Sequence, residues 1–323
     1  MSTPLLTTKL YIPPVRPEWV PRPHLFERLN DGLGQGSLGF ARKLTLVSAP
    51  AGSGKTALIT AWLSDLRSAV PGTSIQNRMG WLSLEEADND PVRFFAYLVT
   101  ALRTVDQQIG QDALRLLERA PSLPAESLVT SLINDVARTS PVILVLDDYH
   151  AITELAIHET VGLLLGRQPP HMHLVITTRH DPPLPLSRLR GRGQMTELRQ
   201  SDLRFTPEEA TAFLNRSMRL QLAPSEIAAL EEHSEGWITG LQLAALSMQA
   251  NPRAAKFETG LAVRPILWHN SVPMRGWPVH RIPRRKELQQ SHGSNRYPCQ
   301  DSVGSPPCPC PCPGVGSGLR FPA

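Results

Sequence analysis

The first 250 residues contain no cysteine. All 4 cysteines of this 323-residue chain, Cys299, Cys308, Cys310 and Cys312, lie beyond them, so the body neither needs an oxidising compartment nor rules one out. A cationic surplus is missing from the same region. Residues 1–250 carry 23 Lys and Arg against 26 Asp and Glu, whereas residues 251–323 carry 10 against 3. The overall net charge of +4 therefore belongs to the tail, and the body has no global electrostatic reason to bind nucleic acid. Long apolar runs are absent too: none approaches a membrane span, and the polar start Met1–Leu10 lacks the core of a signal peptide. These absences set a cytoplasmic protein as the expectation.

What is present is organised around Ser48-Ala49-Pro50-Ala51-Gly52-Ser53-Gly54-Lys55-Thr56. The apolar run Leu44–Val47 before it reads as a buried strand, and the residues after it as a helix. A Gly-containing turn between strand and helix lets the backbone N–H groups of Ala51, Gly52, Ser53 and Gly54 point into one cavity, with the positive end of a helix dipole behind them. That suits a polyphosphate. Lys55 is placed to reach the outer phosphates, and the Thr56 hydroxyl to complete a magnesium shell. The pattern G-x-x-x-x-G-K-[ST] is broken once, by Ala49 at its first position.

Upstream, Leu5–Leu10 leads into a Pro-rich extended arm and a short amphipathic helix with Leu25, Phe26 and Leu29 on one face. The arm either lays backbone or the Arg22 side chain near a base, or simply packs on the domain. Downstream, the helix from residue 54 buries Leu58, Ile59, Trp62 and Leu66, and Met79–Leu84 reads as a second strand. Asp90-Pro91 starts a helix carrying Phe94, Phe95, Leu98, Val99 and Leu102. A further helix is predicted over Ala125–Arg138.

Pro141–Leu146 is a continuous apolar run, the mark of a strand buried on both faces of a parallel sheet. Asp147 and Asp148 end it, where open α/β sheets bind ligands. Asp147 fits a magnesium ligand and Asp148 a group that orients the attacking water, although Asp also commonly caps a following helix. A third buried run, His173–Ile176, ends in Thr177-Thr178-Arg179. A Thr hydroxyl and the Arg179 fork are suited there to sense a terminal phosphate. After a fifth strand predicted at Met195–Leu198, the capping box Thr206-Pro207-Glu208-Glu209 opens a small helical unit that includes Gly236–Leu241 and is expected to cover the nucleotide as a lid.

Taken together, these stretches resemble the large ATP-binding LuxR-type regulators, a group that includes the maltose-regulon activator and belongs to the signal-transducing P-loop ATPases with numerous domains. The resemblance covers about residues 5–249. It is carried by Leu6–Leu10, Val47–Thr56, Leu146–His150, Thr177–Arg179, Glu197–Arg199, Asp202–Phe205 and Glu235–Gln242. Ala49 is the usual variant in that family. The resemblance implies an α/β P-loop NTPase three-layer sandwich with a parallel sheet of about five strands, followed by a small helical lid. Met79–Leu84 would supply the extra strand between the phosphate-binding and acidic elements. It implies ATP/ADP and Mg²⁺ as cofactors. Ala51, Gly52, Ser53, Gly54, Lys55 and Thr56 would hold phosphates, Thr56 and Asp147 the metal, and Asp148 and Arg179 would act in hydrolysis and γ-phosphate sensing. Arg22 and the segment from Val20 would lie by the adenine. It further implies a slow ATPase switch that self-associates in its ATP state and, in full-length relatives, binds an inducer and DNA.

The expected organisation is an arm and linker over 1–40, the ATPase domain over 41–206, the lid over 207–250 and a tail over 251–323. Of the 31 prolines, 12 fall in this tail, and Trp268, Trp277 and Arg284-Arg285-Lys286 share no pattern of burial. A disordered tail, truncated or frame-shifted before the sensor and DNA-binding segments, is the expectation. The alternating Cys-Pro spacing is unsuited to zinc. Two other readings remain open: a free-standing P-loop ATPase or kinase-like enzyme, and a non-functional remnant.

Overall fold

The computed structural model describes residues 5–34, 39–69, 78–119 and 125–250. The tail, with its cysteines, Trp268, Trp277 and residues 284–286, lies outside them. Five strands, β1 (Leu44–Ser48), β2 (Met79–Ser83), β3 (Val142–Asp147), β4 (Met172–Thr178) and β5 (Met195–Arg199), form one sheet in the order β2-β3-β4-β1-β5 with every pairing parallel. The helices are α1 (Pro23–Leu33), α2 (Lys55–Ala69), α3 (Pro91–Arg103), α4 (Gln111–Arg119), α5 (Ala125–Val136), α6 (Leu155–Arg167), α7 (Leu186–Gly191), α8 (Gln200–Leu203), α9 (Pro207–Thr211), α10 (Pro224–Ser234) and α11 (Ile238–Ala250).

The strands are buried on both faces, and the period of two sorts their side chains between two cores. Leu44, Leu46, Leu82, Val142, Leu144, Leu146, Leu174 and Ile176 face the helices α3 to α6. Val47, Trp81, Ile143, Val145, Val175 and Leu198 face α1 and α2. This is the three-layer sandwich. Trp62 and Trp81 are fully buried in the second core, and the Trp62 indole donates to Asn30 Oδ1 at 2.8 Å, tying α2 to α1. Truncating a packed Trp of this kind costs about 3–5 kcal/mol.

One expectation is corrected. Residues 79–84 lie between the phosphate loop and the paired aspartates in sequence, but β2 is an edge strand in the sheet. The strand inserted in space between β1 and β3 is β4. Parallel pairing needs a crossover, and α6 carries the chain from β3 over the face of the sheet to β4, which pairs with β3 on one side and β1 on the other.

The arm is pinned at two places. Near its start Lys9 is buried against Asp88, lies 3.2 Å from Glu85, and stacks 4.8 Å from the Tyr97 ring. Further on, Val20 enters a third core with Phe205, Ala210, Leu214, Ile227, Leu230, Leu241 and Ala245. That core holds the helical unit together. Its entry is the capping box read from sequence: Glu209 N–H donates to Thr206 Oγ1 at 3.2 Å, and Thr206 N–H to Glu209 Oε2 at 3.0 Å. The helix it opens turns into a π-helix over Ala212–Ser217, which the sequence pattern does not reveal.

Candidate nucleotide site

The phosphate loop leaves β1 at the carboxyl edge of the sheet and enters α2 at Lys55. Gly52 (φ 76°) and Gly54 (φ 79°) take left-handed conformations there, which is why the motif needs glycine at these two positions. Lys55 is 6% exposed. Its Nζ turns back to donate to Ala49 O at 2.8 Å and Pro50 O at 3.0 Å. Burial pulls its pKa down, opposed by Asp148 and Asp147, while Arg179 adds a repulsion.

Across the edge, Asp147 is 4% exposed. Its Oδ1 and Oδ2 accept from the Thr56 hydroxyl at 3.0 and 3.1 Å, and Oδ1 accepts from Thr177 Oγ1 at 2.6 Å. Burial pushes its pKa up; the Thr177 hydrogen bond is the largest opposing influence, and neighbouring Asp148 pushes the same way as burial. Asp148 is more open and left-handed (φ 57°, ψ 39°). Its N–H donates to Thr177 Oγ1 at 3.0 Å, and His150 Nδ1 stands 3.6 Å from its Oδ1. Burial, then Arg179, lowers the His150 pKa.

Lys55, Thr56, Asp147, Asp148 and Arg179 thus meet on one edge. Arg179 is exposed and has no ion-pair partner among the described residues. Its loop is held by Thr178 Oγ1, which donates to His180 O at 2.8 Å, and by Asp181, which accepts from Arg190 at 3.0 Å and from both Arg199 Nη atoms. The threonine hydroxyls are therefore committed to structure, Thr177 to the aspartates and Thr178 to the loop. Among the described residues, Arg179 is the cation at this edge left to meet a phosphate beside Lys55.

Arg22 does not reach out to a ligand. It is 1% exposed: Nε donates to Glu209 Oε1 at 3.0 Å, Nη1 to Leu203 O at 3.0 Å, and Nη2 to Arg204 O at 2.7 Å, with the guanidinium 5.1 Å over the Phe205 ring. The placement of Arg22 as a nucleotide contact is corrected accordingly. Its fork is filled by the carbonyls of Leu203 and Arg204 and by Glu209 of the helical unit, and its side chain is a clamp.

Sequence reasoning misses Trp237 and Thr239 as neighbours of the loop. The segment entering α11 lies directly on it: Trp237 Nε1 donates to Ala51 O at 3.2 Å, and Thr239 donates to Gly52 O through N at 3.3 Å and Oγ1 at 2.9 Å. A Cβ on Gly52 would come within 2.4 Å of Thr239 Oγ1, and one on Gly54 within 2.8 Å of Ile238 Cδ1. The stretch Gly236–Leu241 stands out in the sequence, but nothing in its composition shows what it touches.

The donor set fits a magnesium nucleotide. A buried carboxylate beside a hydroxyl, with no cluster of three His, Cys, Asp or Glu among the described residues, matches a cation held by one or two protein groups and by phosphate oxygens. Among those residues no helix is long and apolar enough to cross a membrane.

Residues 18–177 match the AAA ATPase domain family. The HTH-type transcriptional regulator MalT of Yersinia enterocolitica is 36% identical over 222 residues, which are 68% of this chain and 24% of that protein. MalT of Cronobacter sakazakii is 34% identical over 213 residues, 66% of this chain and 22% of that one. The chain spans about a quarter of the length of the curated relatives it matches. A solved structure of a Thermotoga maritima RuvB variant is similar at a TM-score of 0.37 and 16% identity, covering 75% of this chain and 71% of that one. This chain therefore carries an AAA ATPase domain of the P-loop class, homologous over about two thirds of its length to the MalT transcriptional regulators.

Proposed function

We propose that the chain is an ATP/ADP-binding switch module of a transcriptional regulator, with slow hydrolysis resetting the switch. The observation that carries this reading is the contact of the helical unit with the phosphate loop itself, through Trp237 and Thr239. A nucleotide-dependent change in the loop reaches a second structural unit directly. The homology to MalT supports the regulatory setting. By that likeness, DNA, a small inducer and self-association in the ATP state are the partners of the longer relatives' kind.

In this reading Lys55 exchanges the carbonyls of Ala49 and Pro50 for phosphate oxygens, and the N–H groups from Ala51 to Gly54 line the phosphates. Thr56 and Asp147 hold Mg²⁺, which supplies charge neutralisation between phosphates. Asp148, the more open of the two carboxylates, orients water, and Arg179 reaches the terminal phosphate. Because Asp147 is buried and doubly hydrogen-bonded, its place is fixed before any ligand enters.

The test is to purify the full chain, identify the nucleotide that accompanies it, and measure ATP and ADP affinity and turnover with Lys55→Ala alongside. Retained ADP with turnover well below about 1 s⁻¹ supports the switch. Turnover at or above that rate supports the second reading, a free-standing ATPase, which the complete set Lys55, Thr56, Asp147, Asp148 and Arg179 favours. Equal nucleotide binding by Lys55→Ala sinks both.

A further inference from the structure

We infer that Trp237 and Thr239 are positioning residues for phosphate binding: from the helical unit they fix the two peptide planes whose N–H groups face the phosphates. The inference rests on the nucleotide reading of the loop and adds a duty for residues that belong to another part of the fold.

Peptide geometry carries it. In a trans peptide the C=O of one residue and the N–H of the next point in opposite directions, and the described residues contain no cis bond. Ala51 O accepts from the Trp237 indole, so the N–H of Gly52 points away from α11. Gly52 O accepts from both the amide and the hydroxyl of Thr239, so the N–H of Ser53 does likewise. Neither N–H has an acceptor among the described residues, although Ser53 is 5% exposed. An unpaired buried amide is costly unless a ligand completes it. The other half of the loop is held from the opposite side, where Lys55 Nζ takes the carbonyls of Ala49 and Pro50.

Four successive carbonyls of the loop, from Ala49 to Gly52, are therefore engaged, two by Lys55 and two by the segment entering α11. On phosphate binding the Lys55 contacts are surrendered, and those made by Trp237 and Thr239 are the ones left to hold the donors in place. Lid position and phosphate affinity are then one quantity: a helical unit moved off the loop releases the Gly52 and Ser53 amides to rotate.

The test uses Thr239→Val, which deletes the hydroxyl and keeps shape and backbone N–H, Trp237→Phe, which deletes the indole donor, and the pair combined. ADP and adenosine are the probes. ADP affinity falls about tenfold in the combined variant, adenosine affinity does not change, and Thr239→Ser restores ADP binding at that position. Unchanged ADP affinity in the combined variant, or an equal loss for adenosine, overturns the inference. Should the combined variant not fold, Thr239→Val alone gives the same contrast at about threefold. Lys55→Ala separates the two failures. If it weakens ADP binding and the α11 variants do not, only the positioning role fails; if no variant matters, the nucleotide reading fails with it.

Discussion

Thr177 Oγ1 donates to Asp147 Oδ1 at 2.6 Å and, in the same position, accepts the N–H of Asp148 at 3.0 Å. One hydroxyl from β4 thus sets the carboxylate of the first aspartate and the backbone of the second. It can do so because β4 is the strand paired alongside β3. The inserted strand is part of the site, not a spacer beside it.

Thr177→Val removes both bonds at nearly constant volume. We expect stability to fall by about 1–3 kcal/mol, the range for a buried hydrogen bond lost with a partner left behind. The Mg²⁺ concentration for half-maximal hydrolysis should rise several-fold. Denaturant titration and a magnesium titration of turnover check the two effects, and Thr177→Ser should restore both.

The Arg22 clamp predicts a larger effect. Arg22→Met leaves the carboxylate of Glu209 and the carbonyls of Leu203 and Arg204 without their buried donor, and removing one partner of a buried ion pair costs about 3–5 kcal/mol. Glu209→Gln, which keeps an acceptor for Nε, should cost less. Chemical denaturation ranks the two. An Arg22→Met midpoint equal to that of the parent chain would remove the clamp from the account.

His173 supplies a pH dependence. Its ring is fully buried, Nδ1 donates to Arg42 O at 2.8 Å, and Nε2 accepts from Thr45 Oγ1 at 2.9 Å. Burial lowers its pKa to about 4 from the ordinary histidine value of 6.5. Between those values the unfolded chain binds a proton that the folded chain does not. This contribution to stability is therefore present above pH 6.5 and is lost as pH falls toward 4. The integrated loss is about 3 kcal/mol. His173→Gln should flatten the slope of the denaturation midpoint across that window, whatever its offset.

Asp181 anchors the loop of Arg179 through Arg199 and Arg190, and these hydrogen bonds, Arg199 first, hold its carboxyl below the usual range. The pairs are partly exposed, so their contribution to stability is small and screened by salt. Asp181→Asn should leave the unfolding midpoint nearly unchanged while weakening ATP binding relative to ADP. Competition titrations at low and high salt measure it.

Much of the site is legible in the sequence because it is local. Residues 48–56 and the Asp147-Asp148 pair each lie within one strand-to-loop transition, and apolar runs such as Val142–Leu146 announce doubly buried strands. What escapes is what long separations decide. Arg22 reads equally as a group near a base or as part of an arm packed on the domain until Glu209, 187 positions away, is seen to close on it. A Thr hydroxyl of the Thr177-Thr178 pair reads as a phosphate sensor because the pair's burial depends on strand order, which one sequence does not display. The helices α4, α6, α7 and α8 escape as well: α7 and α8 are short and α6 is apolar on more than one side, so these three show no clean stripe. Trp237 and Thr239 reach the phosphate loop across 186 and 187 positions.

The arm also sets an order of events during synthesis. Lys9 waits for Asp88, and Val20 and Arg22 wait for a core and a carboxylate supplied by residues 205–245. At about 5–20 residues per second, Arg22 stays without its carboxylate for on the order of 10–40 s after it is joined. The sheet can form in that interval, since its five strands end at Arg199. Val20 and Arg22 are then among the last of the described arm residues to settle, and the nascent chain carries a folded sheet whose helical unit and this part of the arm remain to be closed together.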